Sequence, residues 1–169
     1  MTEAIVFTSN TGHTAAYAAL LSKSTGLPVY ESKAAGKILS DKAEVIYLGW
    51  LMAGKLQGYK AAAKRFSVAA VGAVGMSSVE AQRDDIRRIN AVPAATPVFC
   101  LQGGFEMEKL HGVYRFMMKV MRGSVGKKLA AKQDRTPEEE ESLELLMHGK
   151  NCVKEENLKE IITWYEETR

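Results

Sequence analysis

Five short strand-like runs are separated by helical or loop segments along the first 102 residues, at residues 4–7, 28–31, 44–49, 66–74 and 97–101. Val45-Ile46-Tyr47-Leu48 is continuously apolar, which is typical of a strand buried on both faces. Strands that alternate with helices at this spacing predict a parallel sheet with right-handed crossovers and helices on both faces. The sequence therefore predicts a single doubly wound α/β domain over residues 1–169.

Helical spacing marks the segments between these runs. It predicts helices over residues 15–22, 56–65, 79–89 and 157–167, a weak helical turn over 32–40 and a loop over 50–54. Thr14 is the expected cap of the first helix. Thr136-Pro137-Glu138-Glu139 predicts another helix start, because it combines a capping hydroxyl, a proline and acids at the positive end of the dipole.

The composition is that of a globular protein. Of the 169 residues, 46% are hydrophobic and 25% are charged, so disorder over the whole chain is excluded. No apolar segment reaches the roughly 18 residues that a membrane span needs. The first seven residues lack a basic region and a cleavage site, so we expect no export. Cys100 and Cys152 lie outside any CxxC pair, which disfavours a disulfide scaffold and a zinc site. We therefore expect a cytoplasmic protein without a metal centre.

The net charge of +3 hides a segregation of charge along the chain. Residues 109–135 carry eight basic side chains and one acid, whereas residues 136–169 carry four basic and ten acidic side chains. The first 102 residues carry eleven basic and seven acidic side chains. Because an acidic block adjoins the basic one and no recognisable module is present, we expect no nucleic-acid binding.

A polar cluster, Ser9-Asn10-Thr11-Gly12-His13-Thr14, lies between the first strand and the first helix. Ligands of open α/β sheets bind beyond the carboxyl ends of the strands, at the switch point beside the first strand. Backbone N–H groups at a helix start bind anions, and Gly12 allows close backbone approach. We favour a phosphate site over the alternative, an ordinary capped turn. The absence of GxxxxGK[ST], and of GxGxxG after the first strand, disfavours P-loop and dinucleotide sites.

The pattern formed by Ser9, Thr11, Gly12 and Thr14 resembles the FMN phosphate loop of the flavodoxin family. This resemblance implies five parallel strands in the order 2-1-3-4-5 and two further loops that hold the flavin ring. The implied ring-contacting residues are Trp50, Leu51, Met52, Ala53 and Gly54 after the third strand, and Gly75, Met76 and Ser77 after the fourth. Trp50 or Met52 would form one wall and Met76 the other. The alternative is that Trp50 and Met52 simply pack at a strand end.

The sequence departs from that family in three respects. The second ring loop lacks the aromatic residue that is common in electron-carrier flavodoxins, and His13 stands where Asn is frequent. The first 102 residues are mildly basic, whereas electron-carrier flavodoxins are typically acidic. The two loop departures bear on flavin affinity and potential, and the basic character gives weight to an enzymatic function beside electron carriage.

Residues 103–149 are predicted as a helical insert that splits the fifth strand into residues 97–101 and 151–153, as in the long-chain flavodoxins. Gln102-Gly103-Gly104-Phe105 and the later Tyr114-Arg115-Phe116-Met117-Met118-Lys119 are similar to the flavodoxin-like menaquinone-dependent protoporphyrinogen dehydrogenases. That similarity implies FMN, an apolar or anionic tetrapyrrole substrate and a quinone acceptor.

The insert contains a basic, Met-rich helix expected near residues 110–122. Its apolar face is predicted to hold Tyr114, Met117, Met118 and Met121, with Arg115, Lys119 and Arg122 elsewhere. Such a helix can make peripheral contact with an anionic membrane, bind an acidic partner, or bind the propionates of a porphyrin. Alternatively, its Met face packs on the sheet domain and the acidic helix 138–147 neutralises its outer face.

We expect an FMN-binding protein that transfers electrons with a redox partner protein. One alternative is an FMN-dependent oxidoreductase that acts on a small-molecule substrate with a quinone acceptor. Another is a flavodoxin-fold binding module without flavin. No acid–base pair stands out as catalytic, which suits chemistry that resides in a cofactor.

Overall fold

The computed structural model describes residues 1–76, 82–110 and 112–169. The chain divides into two compact units, which are described separately. Unit 1 comprises Met1–Gly103 and Val153–Arg169, and unit 2 comprises Gly104–Cys152. No helix within the described ranges combines the length and the apolar character needed to cross a membrane.

Unit 1 is built on a sheet whose parallel strands, in the described residues, lie in the order β2-β1-β3-β5-β6. These strands are β1 (Ala4–Thr8), β2 (Val29–Glu31), β3 (Glu44–Met52), β5 (Ser67–Gly75) and β6 (Val98–Gln102). The short strand β4 (Lys55–Leu56) pairs antiparallel with the end of β3. Counted over the parallel strands, this is the predicted order 2-1-3-4-5, so the doubly wound α/β prediction is confirmed.

Helices cover both faces of the sheet: α1 (His13–Thr25) and α8 (Lys159–Thr168) on one, and α2 (Ser32–Ile38), α3 (Tyr59–Arg65) and α4 (Arg83–Asn90) on the other. On the α1 face, Ile46 and Leu48 of β3 are buried with Leu21 of the helix. On the opposite face, Val45 and Tyr47 are buried in a second apolar cluster. Strand β3 thus divides its side chains between two cores, as its continuous apolar sequence predicts.

Unit 2 contains a two-stranded antiparallel ribbon and a helical segment. Its elements are β7 (Gly104–Phe105), a 3₁₀ turn (Met107–Lys109), α5 (Gly112–Met121), a π-helical turn (Arg122–Gly126), α6 (Lys127–Ala131), α7 (Pro137–His148) and β8 (Lys150–Asn151). Gly104 has a φ of 91°, and a Cβ there would collide with the Lys150 carbonyl oxygen. Glycine therefore permits the close approach of β7 and β8.

The predicted start of α7 is confirmed as a capping box. The Thr136 hydroxyl accepts from the Glu139 N–H at 3.2 Å, and the Glu139 carboxylate accepts from the Thr136 N–H at 3.0 Å. Hydrogen bonds from Lys132 and from the Thr136 backbone hold the pKa of Glu139 below its usual value.

Residues 50–54 were expected to form a loop, and this expectation is wrong. Strand β3 continues to Met52 and turns back at Ala53 and Gly54 into β4, with Leu51 paired to Leu56. Both turn residues have positive φ, 49° and 76°, as the type I′ turn of a two-residue hairpin requires. Because β4 occupies Lys55–Leu56, the helix expected from residue 56 begins at Tyr59.

Other boundaries shift by a few residues. The first helix begins at His13 with Gly12 as its N-cap, so Thr14 is not the cap. The weak turn expected over residues 32–40 is the helix α2, which buries Ala35. The second half of a split fifth strand, expected at residues 151–153, is not found in the parallel sheet; instead β8 (Lys150–Asn151) pairs antiparallel with β7 in a separate two-stranded sheet. Residues 79–81 of the helix expected over 79–89 lie outside the described residues.

Candidate functional site

The carboxyl ends of the central strands of unit 1 lie level with one another. Thr8 pairs with Gly49, Trp50 with Val74, and Gly75 with Gln102. The segments that follow β1, β3 and β5 therefore meet at one edge of the sheet. Strands β2 and β3 lie on opposite sides of β1, so the switch point of this fold is beside β1 at the same edge.

The loop after β1 leads into a helix start without a side-chain cap. Gly12 is the N-cap residue, with φ of 95° and ψ of −15°, and no side-chain oxygen caps α1. The Gly12 N–H donates to the Ser9 hydroxyl at 3.2 Å. Because α1 begins at His13, the N–H groups of Thr14 and Ala15 have no acceptor within the helix. The first turn contains no acid, so its positive end can attract an anion.

The hydroxyl groups of this loop keep donors for a ligand. Thr11 Oγ1 lies 2.9 Å from His13 Nδ1. When Nδ1 carries the proton and donates to Thr11, the Thr11 hydroxyl proton can serve another acceptor. The Thr14 side chain is 1% exposed, yet no described residue hydrogen-bonds to its hydroxyl. The predicted residues Ser9 to Thr14 therefore lie together as one loop and helix turn, with Asn10 exposed.

The second predicted segment is the β3–β4 hairpin. Side chains alternate along a strand, and Ile46 and Leu48 lie on the α1 face. Trp50 and Met52 therefore lie on the same face, beyond the start of α1, and both are half-buried. Leu51 packs with the opposite core instead. Ala53 at the turn is exposed and Gly54 is half-buried.

Asn90, at the end of α4, clamps this hairpin and was missed by the sequence analysis. Its Nδ2 donates to the Gly54 carbonyl at 2.9 Å and to the Ile86 carbonyl at 2.8 Å. Its Oδ1 accepts from the Leu56 N–H at 2.8 Å. The Asn90 side chain thus uses both of its N–H donors and its carbonyl oxygen, and it fixes the turn that follows Trp50 and Met52.

Tyr47 anchors the base of the loop that follows β1, and the sequence pattern did not indicate this role. Its hydroxyl lies 2.8 Å from Thr8 Oγ1 and 2.6 Å from the Gln57 carbonyl. Thr8 in turn contacts Ser32 at 2.8 Å, and the Ser32 hydroxyl lies 3.0 Å from the Phe7 carbonyl. The hydroxyl groups of Tyr47, Thr8 and Ser32 thus share three protons among four short contacts. Burial raises the pKa of the Tyr47 phenol, although hydrogen bonds with Thr8 and Ser32 oppose the shift. A phenol in a strand expected to be buried on both faces was the available signal.

The third predicted segment follows β5. Gly75 ends the strand, and its carbonyl accepts from the Gly103 N–H at 2.8 Å. Met76 comes next and is half-buried. Ser77, the remaining predicted ring contact, lies outside the described residues.

Unit 2 carries its own shallow groove of about 320 Å³. Small residues and one thioether line it, namely Gly123, Gly126, Ala130 and Met147, together with Lys119, Arg122 and Lys127. An apolar lining with three cations suits a ligand that has an apolar body and anionic groups.

No protein-family model matches the sequence of this chain, and a comparison with curated proteins finds no match.

Proposed function

We propose that unit 1 binds FMN at the carboxyl edge of β1, β3 and β5, and that the protein transfers electrons with a redox partner protein. The observation that carries this proposal is the start of α1, which has a left-handed glycine at the N-cap and no side-chain cap. Helix starts of this kind bind phosphate groups through N–H donors and the helix dipole. Its position beside β1 is where ligands of open α/β sheets bind.

The donors at this site fit the phosphate of FMN. A phosphate dianion needs several N–H and O–H donors and no neighbouring carboxylate. The backbone of Thr14 and Ala15 and the hydroxyls of Thr11 and Thr14 provide the donors, and the first turn of α1 contains no acid. The Ser9 hydroxyl accepts from Gly12 and keeps its own proton for the ligand.

Bound FMN would supply one-electron and two-electron transfer through its isoalloxazine ring. The chain would bind and orient it. Trp50 and Met52, on the hairpin clamped by Asn90, would offer an aromatic or sulfur surface to one side of the ring. Met76 would contact the other side. A cytoplasmic location belongs to the same proposal and is supported by the low cysteine content, two residues outside any CxxC pair.

The test is a titration of the purified protein with FMN, followed by flavin absorbance and fluorescence. We expect binding by the wild type and a loss of affinity of about tenfold or more for Thr11→Ala with Thr14→Ala, since each removes a hydrogen bond to a charged group. Thr11→Ser with Thr14→Ser keeps both hydroxyls and should retain affinity. Thr163→Ala, at an exposed position of α8, is the control for an unrelated hydroxyl.

Unchanged affinity in the double alanine variant would remove the phosphate site from the start of α1. A wild-type protein that leaves FMN unbound at every concentration would overturn the redox proposal and favour a flavodoxin-fold binding module instead.

A second candidate is an FMN-dependent oxidoreductase of the protoporphyrinogen dehydrogenase type, acting with a quinone acceptor. The groove of unit 2 favours it, because Lys119, Arg122 and Lys127 beside small apolar residues suit a carboxylate-bearing apolar substrate. The FMN-loaded protein would be mixed with a tetrapyrrole substrate and a quinone under exclusion of oxygen. Loss of substrate matched by loss of quinone supports the enzyme, whereas reduction by a reductase without substrate turnover supports electron carriage.

A further inference from the structure

Helix α5 of unit 2 exposes a continuous apolar face. None of its described residues is buried, and Val113, Phe116, Met117 and Val120 are 67%, 67%, 49% and 53% exposed. Their spacing of three and four residues places them on one side of the helix. The residue pattern predicts an apolar face of Tyr114, Met117, Met118 and Met121. Tyr114, Met118 and Met121 are half-buried instead, so the exposed face is a different one.

The same segment is rich in positive charge. Residues 112–132, which include α5, the π-helical turn and α6, carry six Lys or Arg side chains and no Asp or Glu. They are Arg115, Lys119, Arg122, Lys127, Lys128 and Lys132. A large apolar side chain such as Phe on one face and cations on the rest is the pattern of helices that lie in the boundary of an anionic bilayer.

Within the described residues, the acidic helix α7 pairs with only one of these six cations. Its Glu139 pairs with Lys132 at 2.7 Å and its Glu140 pairs with Arg135 at 3.4 Å. Within the described residues, Arg115, Lys119, Arg122, Lys127 and Lys128 form no salt bridge. Five cations therefore stay available for negative charge outside the protein.

We propose that α5 and the π-helical turn dock on an anionic lipid surface. Val113, Phe116, Met117 and Val120 enter the boundary between headgroups and acyl chains, and the flanking cations contact lipid phosphates with their long stems extended. A second copy of the chain fits this face poorly, because two segments of the same strong positive charge would oppose each other. The exposed apolar face of α5 is convex and forms no pocket, which suits contact with a lipid surface that can deform around it. This inference does not depend on FMN.

The test is co-sedimentation of the full chain with vesicles of phosphatidylglycerol and phosphatidylcholine, compared with vesicles of phosphatidylcholine alone. We expect binding to the anionic vesicles, with a steep loss on added salt. Phe116→Gln with Val120→Gln should weaken binding about tenfold or more, because two apolar side chains no longer leave water. Ile38→Gln, an exposed apolar residue of α2, should leave binding unchanged.

A matched pair of charge variants separates a local cation effect from net charge. Lys119→Glu with Lys127→Glu should weaken binding about tenfold or more, whereas Lys60→Glu with Lys64→Glu on α3 changes net charge equally and should have a much smaller effect. Circular dichroism checks that each variant is folded. The proposal is overturned if the wild type ignores anionic vesicles, or if the Phe116 and Val120 variant binds them like the wild type. It is equally overturned if gel filtration shows a dimer that this variant abolishes.

Discussion

Replacing Asn90 with alanine tests how the β3–β4 hairpin is held. The change removes three hydrogen bonds, to Gly54, Ile86 and Leu56, whose lengths are 2.8–2.9 Å. Each bond contributes about 1 kcal/mol net, and a buried N–H left without an acceptor costs about 1–3 kcal/mol. The Leu56 N–H belongs to a residue that is buried, so water replaces its lost acceptor poorly. We expect the free energy of unfolding to fall by about 2–4 kcal/mol.

Urea unfolding, followed by tryptophan fluorescence and by circular dichroism, measures this loss. Trp50 is on the hairpin and Trp164 is in α8, so fluorescence reports both regions of unit 1. For a protein of this size the midpoint of thermal unfolding should fall by roughly 5–15 °C. At a temperature where the variant is still folded, its FMN affinity should also fall, because the hairpin that carries Trp50 and Met52 loses its clamp.

Arg88→Ala is the matched control on the same helix. Arg88 makes an exposed ion pair with Asp85 at 2.7 Å, and such pairs contribute less than about 1 kcal/mol. If Asn90→Ala unfolds within about 0.5 kcal/mol of this control, the three hydrogen bonds do not hold the hairpin, and the account of how Trp50 is positioned fails.

Two further predictions concern Tyr47 and Gly104. Tyr47→Phe should lower the free energy of unfolding by about 1–2 kcal/mol, since Gln57 loses its donor, whereas Tyr59→Phe should change it little. The pKa of Tyr47 is raised in the folded state from the ordinary value of 10.0. The phenol's contribution to the free energy of unfolding is therefore complete below pH 10.0 and is lost as pH rises through the folded pKa. Urea titrations between about pH 8 and 11 should therefore show that the free energy of unfolding falls less with rising pH in Tyr47→Phe than in the wild type. An equal fall in both proteins would contradict the buried-phenol argument. Gly104→Ala should destabilise unit 2 by about 2–4 kcal/mol, because the Cβ meets the Lys150 carbonyl at positive φ. Gly123→Ala, where no atom lies within 4 Å, should be neutral or slightly stabilising, and equal effects of the two changes on thermal unfolding would refute the collision.

The sequence predicted the sheet well because the physics of its strands is local. A run such as Val45 to Leu48 must be covered on both faces, and right-handed crossovers then leave few strand orders. Boundaries were less predictable where tertiary contacts override local preference. Strand β3 extends through Trp50 to Met52 because β4 supplies a partner, and α2 is a full helix because Ala35 is buried against the sheet.

The candidate site was predictable where it is contiguous in sequence and not where it depends on distant contacts. Residues 9–14 were predicted as one anion loop, and they lie together at the start of α1. Asn90 gave no signal, because its partner Gly54 is 36 residues away and an Asn near a helix end is common. The helix also begins earlier than expected, at His13, and the glycine cap supplies no side-chain acceptor to the backbone donors of the first turn.

Within the described residues, most cations of the basic block have no partner in the acidic block. Of the basic residues 112–135, Lys132 and Arg135 pair with α7, and the cations of α5 have no described partner. The phosphate site proposed for unit 1, in contrast, would need no cation, since backbone donors and hydroxyls would serve it. The two proposed anion sites therefore rest on different physics. Vesicle binding should fall steeply with salt, whereas FMN binding, which relies on fixed hydrogen bonds, should depend on salt weakly. The Thr11 and Thr14 variants and the Phe116 and Val120 variants, compared in both assays, separate the two: each pair should impair one kind of binding and leave the other intact.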